Sequence, residues 1–153
     1  MARASFQVLI LPYRKTGESF EFAVFSRSES DCRQAIAGGE SGETPMKAAK
    51  REAFEEAGIL PGIDFIALDS VCSIPVVHFR DIENRNENLY VIPEYSFGVD
   101  CAEREIIISH KHFEIEWLSY AEAFQKFTYD SNRTALWELN QKLGGLKPRE
   151  KAF

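Results

Sequence analysis

Glu52, Glu55 and Glu56 crowd three carboxylates into one short stretch, Arg51-Glu52-Ala53-Phe54-Glu55-Glu56-Ala57-Gly58-Ile59. On a helix, at about 100° per residue, they share a single arc. Like charges four residues apart destabilise an isolated helix by about 0.2 to 0.5 kcal/mol per pair, so the arrangement asks for an offsetting positive charge. A hard divalent cation supplies it, because Mg²⁺ prefers carboxylate oxygens, keeps several waters and often completes its shell with phosphate oxygens. Such an ion neutralises phosphoryl charge and acidifies water, and the chemistry that fits is hydrolysis of a diphosphate bond. The competing reading is a solvated acidic face, which is common on helices of water-soluble proteins. Periodicity alone does not separate the two.

The longer string does. Glu43, Arg51, Glu52, Glu55, Glu56, Gly58 and Ile59 fall at the spacing of the Nudix box, G-x5-E-x7-R-E-U-x-E-E-x-G-U with U aliphatic, and the region from Gly38 to Ile59 resembles that signature. One position departs from it: Ala37 stands where the first Gly belongs, and Gly38-Gly39 lies closer to Glu43. The resemblance implies an α/β fold, the Nudix-type α/β/α sandwich with a mixed central sheet, and a Mg²⁺-dependent pyrophosphohydrolase in which Mn²⁺ is a possible substitute. It assigns Glu52, Glu55 and Glu56 to the metal, together with a loop carbonyl placed at Gly38. Arg51 is expected to orient a motif glutamate, and Glu43 to assist on the substrate side through water. For the general base the resemblance leaves two residues open, Glu114 and Glu52, since Lys111 precedes His112 where relatives often carry Glu.

The resemblance extends over nearly the whole chain. Asp130-Ser131-Asn132-Arg133 and the pair His112 and Trp117 look like the branch that acts on dATP or dihydroneopterin triphosphate with release of pyrophosphate. Arg33, where relatives tend to have an aromatic residue, and Arg27, at the end of a strand, are candidate phosphate contacts. Two rival functions follow from the departures: a Nudix scaffold that senses a nucleotide-like ligand without cleaving it, and removal of pyrophosphate from RNA 5′ ends. The second is disfavoured by the absence of a basic stripe.

The acidic helix needs elements to hold it. Thr44-Pro45 is a strong helix start and Gly58 a matching stop, and between them Met46, Ala49, Ala53 and Ala57 form a narrow packing face. Residues 5 to 13 and 20 to 27 read as a hairpin around the polar turn Arg14 to Glu18. Gly38 to Glu43 is too glycine-rich for a strand interior and reads as a shaped loop. Strand composition returns over 64 to 79 and 89 to 99, separated by a charged loop at 81 to 88, and again over 114 to 118. Ser119 with Glu122 forms a capping box for a helix to about Phe127. A final helix from about Ser131 to Leu143 carries Leu136, Leu139 and Leu143 on one face. The tail from about 147 is expected to be loosely held. Tyr90, Tyr95, Phe97, Trp117, Tyr129 and Trp137 are read as mostly core.

The 153 residues, 44% hydrophobic, suit a single domain over the whole length, with enough apolar mass for its own core. A net charge of -6 disfavours attraction to a nucleic-acid polymer or an anionic membrane, while leaving room for a local site for a small phosphorylated metabolite. Cys32, Cys72 and Cys101 form no C-x-x-C pair, and a reducing cytoplasm suits them. The apolar run from Phe6 to Pro12 is too short to span a bilayer. A homodimer is left open by the sequence.

Overall fold

In the computed structural model, residues 6–27, 30–39, 42–78, 88–102, 104–108, 113–146 and 149 are described. Lys111, His112, the 81 to 87 part of the charged loop and most of the tail lie outside them.

Strands β1 (Gln7–Thr16) and β2 (Ser19–Arg27) are joined by a tight turn at Gly17-Glu18 and pair from Thr16↔Ser19 to Tyr13↔Phe22. The turn is shorter than the polar segment Arg14 to Glu18 suggests, because Arg14, Lys15 and Thr16 complete the ladder. Gly17, at φ 64°, takes the left-handed backbone that a two-residue hairpin turn requires. Beyond Tyr13 and Phe22 the two strands part, and a second piece of chain enters the gap. β3 (Arg33–Gln34) pairs with Phe25 and Ser26 of β2, and β4 (Ile36–Gly38) pairs with Val8 to Ile10 of β1. Gly38 therefore closes a strand, where its glycine-rich surroundings predict a loop.

The other edge of β1 takes β6 (Val91–Asp100) in parallel, and β5 (Phe65–Pro75) pairs antiparallel with β6. The predicted strand at 64 to 79 thus ends at Pro75, and a 3₁₀ turn follows at Val76–His78. β7 (Phe113–Leu118) covers the outer edge of β2. The result is a mixed sheet with helices on both faces, the α/β/α sandwich that the sequence implies.

Strand alternation assigns the faces. Val8, Ile10, Ala23, Phe25, Phe97 and Val99 point toward helix α1 (Pro45–Ala57), which meets them with Ala48, Ala49, Ala53 and Ala57. Leu9, Leu11, Phe22 and Val24 point the other way, toward α2 (Tyr120–Lys126) and α3 (Asp130–Leu143). Burial on both faces explains why β1 reads as a continuous apolar run. Of the aromatic residues read as core, Phe97 is buried, and Tyr95 and Trp117 pack against the core. Tyr90, at 88% exposure, with Tyr129 and Trp137 near half, are surface residues. No helix among the described residues is long and apolar enough to cross a membrane.

β5 and β6 fall out of register between Ala67↔Phe97 and Val71↔Tyr95, leaving backbone groups of the intervening β5 residues outside the ladder. Glu138 of α3 takes them up. Its carboxylate accepts from the Asp69 N–H at 2.6 Å, the Ser70 N–H at 2.8 Å and the Ser70 hydroxyl at 2.6 Å. Burial works to raise the Glu138 pKa, but these bonds and the Lys142 ammonium outweigh it and hold the carboxyl below its ordinary value. A depressed pKa means stabilisation that is present above the unfolded-state value and lost as pH falls through the folded-state one. Glu138→Ala is expected to cost about 2 kcal/mol at neutral pH. In urea titrations, the gap from the parent should shrink as pH falls below the ordinary glutamate value of about 4.3.

Candidate active site

The helix that carries the glutamates is fixed at both ends by local sequence. The Thr44 hydroxyl accepts the Lys47 N–H at 3.3 Å and Pro45 occupies the first turn. At the other end Gly58, with φ 68°, turns the chain into the left-handed region. Its N–H donates to the Phe54 carbonyl at 2.9 Å, and the Ile107 N–H donates to the Ala57 carbonyl at 3.0 Å.

On the outer side of α1, Arg51 gathers the acidic residues. Its Nε lies 2.9 and 3.0 Å from the two carboxylate oxygens of Glu43, and its Nη2 is 2.9 Å from Glu43 Oε1. Its Nη1 is 3.0 Å from both Glu52 and Glu55. The planar guanidinium, with several donors in a fixed plane, suits this three-way pairing in a way a lysine ammonium does not. Glu43 is thereby engaged by Arg51 through both oxygens and braces the cluster.

Glu52 is the buried member, at 9% exposure. Burial raises its pKa, Arg51 opposes that, and the neighbouring charges of Glu55 and Glu56 push it further up. Its carboxylate lies against Gly38: a methyl group built there would sit 2.3 Å from the carboxyl carbon. The Glu52 carboxylate thus occupies the space that a side chain at position 38 would need. Glu55 is the exposed member. Glu56 lines a cavity of about 60 Å³ together with Arg27, Phe25 and the run Gln34 to Ala37.

Among the described residues no three His, Cys, Asp or Glu side chains converge closely enough to hold an ion. The donor set nevertheless fits a hard divalent cation. Glu52, Glu55 and Glu56 all offer oxygen, and their mutual repulsion, felt at Glu52, is what such an ion relieves. Gly38 leaves the backbone open on the Glu52 side.

The other sequence candidates divide. Arg27 lies at the cavity beside Glu56. Arg33 does not: its guanidinium is directed to the carbonyl oxygens of Ser30 and Cys32 at 3.5 and 3.4 Å, holding its own loop. Glu114 is also turned away. Ile115 and Trp117 pack on the α1 side, so Glu114 leaves β7 on the opposite face with Glu116, which reaches Lys126 of α2. Strand alternation thus separates Glu114 from the glutamates it was expected to join. Missed by sequence reading were Gln34, which lines the cavity, and Thr128 and Asn132, which hold the backbone beside it. Asn132 stood within a noted tetrapeptide, but its partner lies 97 positions away, and no local pattern signals that contact.

A NUDIX domain family model matches residues 6–138, and the chain belongs to the Nudix hydrolase family, a pyrophosphohydrolase by that membership. A Nudix hydrolase structure from Listeria monocytogenes is 38% identical, covers 92% of this chain and 94% of its own, and superposes with a TM-score of 0.83. The fold is shared with the dihydroneopterin triphosphate pyrophosphohydrolase of E. coli, at 21% identity, coverage of 93% and 99%, and a TM-score of 0.74. It is shared too with an Ap4A hydrolase of C. elegans, at 19% identity, coverage of 92% and 98%, and a TM-score of 0.70. No curated protein sequence gives a match.

Gly38 offers a direct test of the close approach. Its φ is not positive, so alanine meets no backbone penalty there and adds only the methyl group that displaces Glu52. Gly38→Ala is expected to weaken Mn²⁺ binding at least about tenfold, measured by titration calorimetry, while the melting temperature changes little. Unaltered affinity would mean that Glu52 does not reach the ion from this position.

Proposed function

We propose that this protein hydrolyses a diphosphate linkage in a nucleoside triphosphate or a related small metabolite, dATP-like or dihydroneopterin triphosphate, with release of pyrophosphate and with Mg²⁺ as the ion. The observation that carries the reading is the meeting of the Arg51-braced glutamates with Gly38, beside a cavity that Arg27 and Glu56 both line. Glu52, Glu55 and Glu56 would hold the cation, which when bound neutralises phosphate charge and makes water easier to deprotonate.

The remaining roles belong to the side chains. Arg27 presents a permanent positive charge at the cavity and suits a phosphate of the substrate. Glu52 is the better base of the two that the sequence left open. It is buried within the glutamate cluster, against the end of the cavity wall at Gly38, whereas Glu114 leaves β7 on the opposite face. Water oxygen bonds to phosphorus, the bridging oxygen leaves with pyrophosphate, and the water proton passes to the carboxylate. The net charge of -6 weighs against an RNA 5′ end as substrate.

A panel of nucleoside triphosphates, nucleotide sugars, dinucleoside polyphosphates and pterin triphosphates, assayed for released phosphate or pyrophosphate with Mg²⁺ and with Mn²⁺, identifies the substrate. With the best of them, Glu56→Gln is expected to lower kcat/KM at least about 100-fold with an unchanged melting temperature. Full turnover by that variant would remove Glu56 from the site. Tight binding of a panel member that stays intact with either ion would reassign the protein to ligand sensing.

A further inference from the structure

The cavity wall from Gln34 to Ala37 is a short piece of chain wedged between two parted strands, and it ends at Gly38 against Glu52. β2 holds one part of it through Gln34 and Arg33, and β1 holds another through Ile36 to Gly38. What remains is the backbone on its far side, and the linker between α2 and α3, with the first turn of α3, reaches those groups. Thr128 takes both main-chain groups of Arg33: its Oγ1 accepts the Arg33 N–H at 2.8 Å and its own N–H donates to the Arg33 carbonyl at 2.9 Å. Two residues after Arg33, the Ala35 N–H donates to Oδ1 of Asn132, in the first turn of α3, at 2.8 Å.

Asn132 is 2% exposed, and its amide orientation is settled by chemistry. Nδ2 donates to the Ser131 hydroxyl oxygen at 3.2 Å, whereas a flipped amide would set an NH₂ against the Ala35 N–H, two donors face to face. The Ala35 N–H is buried and has no strand partner in the register, so without Asn132 it would be left unsatisfied.

We propose that Asn132, seconded by Thr128, is a positioning residue for the substrate. It fixes the height of the Gln34 to Ala37 wall, without itself taking part in the chemistry. The kinetic side of this inference rests on the hydrolase reading above, while the backbone side does not. α3 then serves the site as a clamp as well as covering the sheet.

Hydrogen–deuterium exchange of the whole chain reads the clamp directly. Asn132→Leu, similar in volume but without an acceptor, is expected to speed exchange at Ala35 about tenfold or more, with the β1–β6 ladder still protected. With the substrate found by the panel, KM should rise about tenfold and kcat stay within about threefold. Asn132→Asp keeps the accepting oxygen and should retain KM within about threefold of the parent. Thr128→Val, at an exposed residue, keeps the inference testable should Asn132→Leu fail to fold, and is expected to speed exchange at Arg33. Leu136→Ala, a core change on the same helix, should lower the melting temperature without moving KM.

Parent-like exchange at Ala35 in Asn132→Leu, or at Arg33 in Thr128→Val if the first does not fold, overturns the proposal. So does an equal rise in KM for Leu136→Ala and Asn132→Leu, since the effect would then be loss of stability alone. If the parent turns over nothing, the hydrolase reading fails, and the exchange result still decides the clamp.

Discussion

The ion pairs from Arg51 to Glu43, Glu52 and Glu55 are the interaction on which the site depends. Three glutamates on adjoining turns of one helix repel one another, and one of them, Glu52, is carried into the protein by the helix face it shares with Ala48, Ala49 and Ala53. A buried carboxylate without a partner would simply take up a proton. One guanidinium, reaching back to Glu43 and forward to Glu55, keeps negative charge tolerable there. The guanidinium thus opposes the effect of burial at Glu52.

That balance requires α1 to lie very close to the sheet. Its buried face is almost entirely alanine, and the end of β4 is glycine, so the Glu52 carboxylate fits in the space that a side chain at position 38 would take. Close packing of this kind leaves little freedom, because an added methylene in a dense interior forces its neighbours to move. The same closeness explains why β4 exists at all. A three-residue strand would be of little use by itself, but pinned to Val8, Leu9 and Ile10 it sets the backbone at Gly38 to a fixed position beside the helix.

What could be read from the sequence follows from how far apart the interacting residues are. Thr44, Pro45 and Gly58 act on groups a few positions away, so the limits of α1 follow directly from them, as does the capping box at Ser119 and Glu122. The order of apolar residues in β1 and β2 marks strands buried on both faces. The wedge of β3 and β4 leaves no such trace, since two and three residues are too few for a period to show. Glu138 bonding to Asp69 and Ser70, and Asn132 bonding to Ala35, join positions 69 and 97 apart or thereabouts. Motif spacing named the glutamates and Arg51, but it could not tell that Glu43 would be bound to Arg51, that Arg33 would turn back on its own loop, or that alternation in β7 would send Glu114 to the far face. Each of these depends on the direction of a side chain, which only the assembled sheet decides.

The parallel pairing of β1 with β6 has a consequence for how the molecule is made. Gln7 donates to Glu94 across 87 positions, so the strand at the middle of the sheet meets that neighbour only after most of the chain is available. Until then, a run of apolar residues from Val8 to Leu11 has one edge unpaired and one face without α3. Contacts of such long range are slow to close, and an exposed apolar edge invites pairing with other chains in the interval. During synthesis, the acidic helix is complete well before the sheet that supports it, and the vulnerable interval ends only when Val91 to Asp100 has docked on the edge and Asp130 to Leu143 on the face.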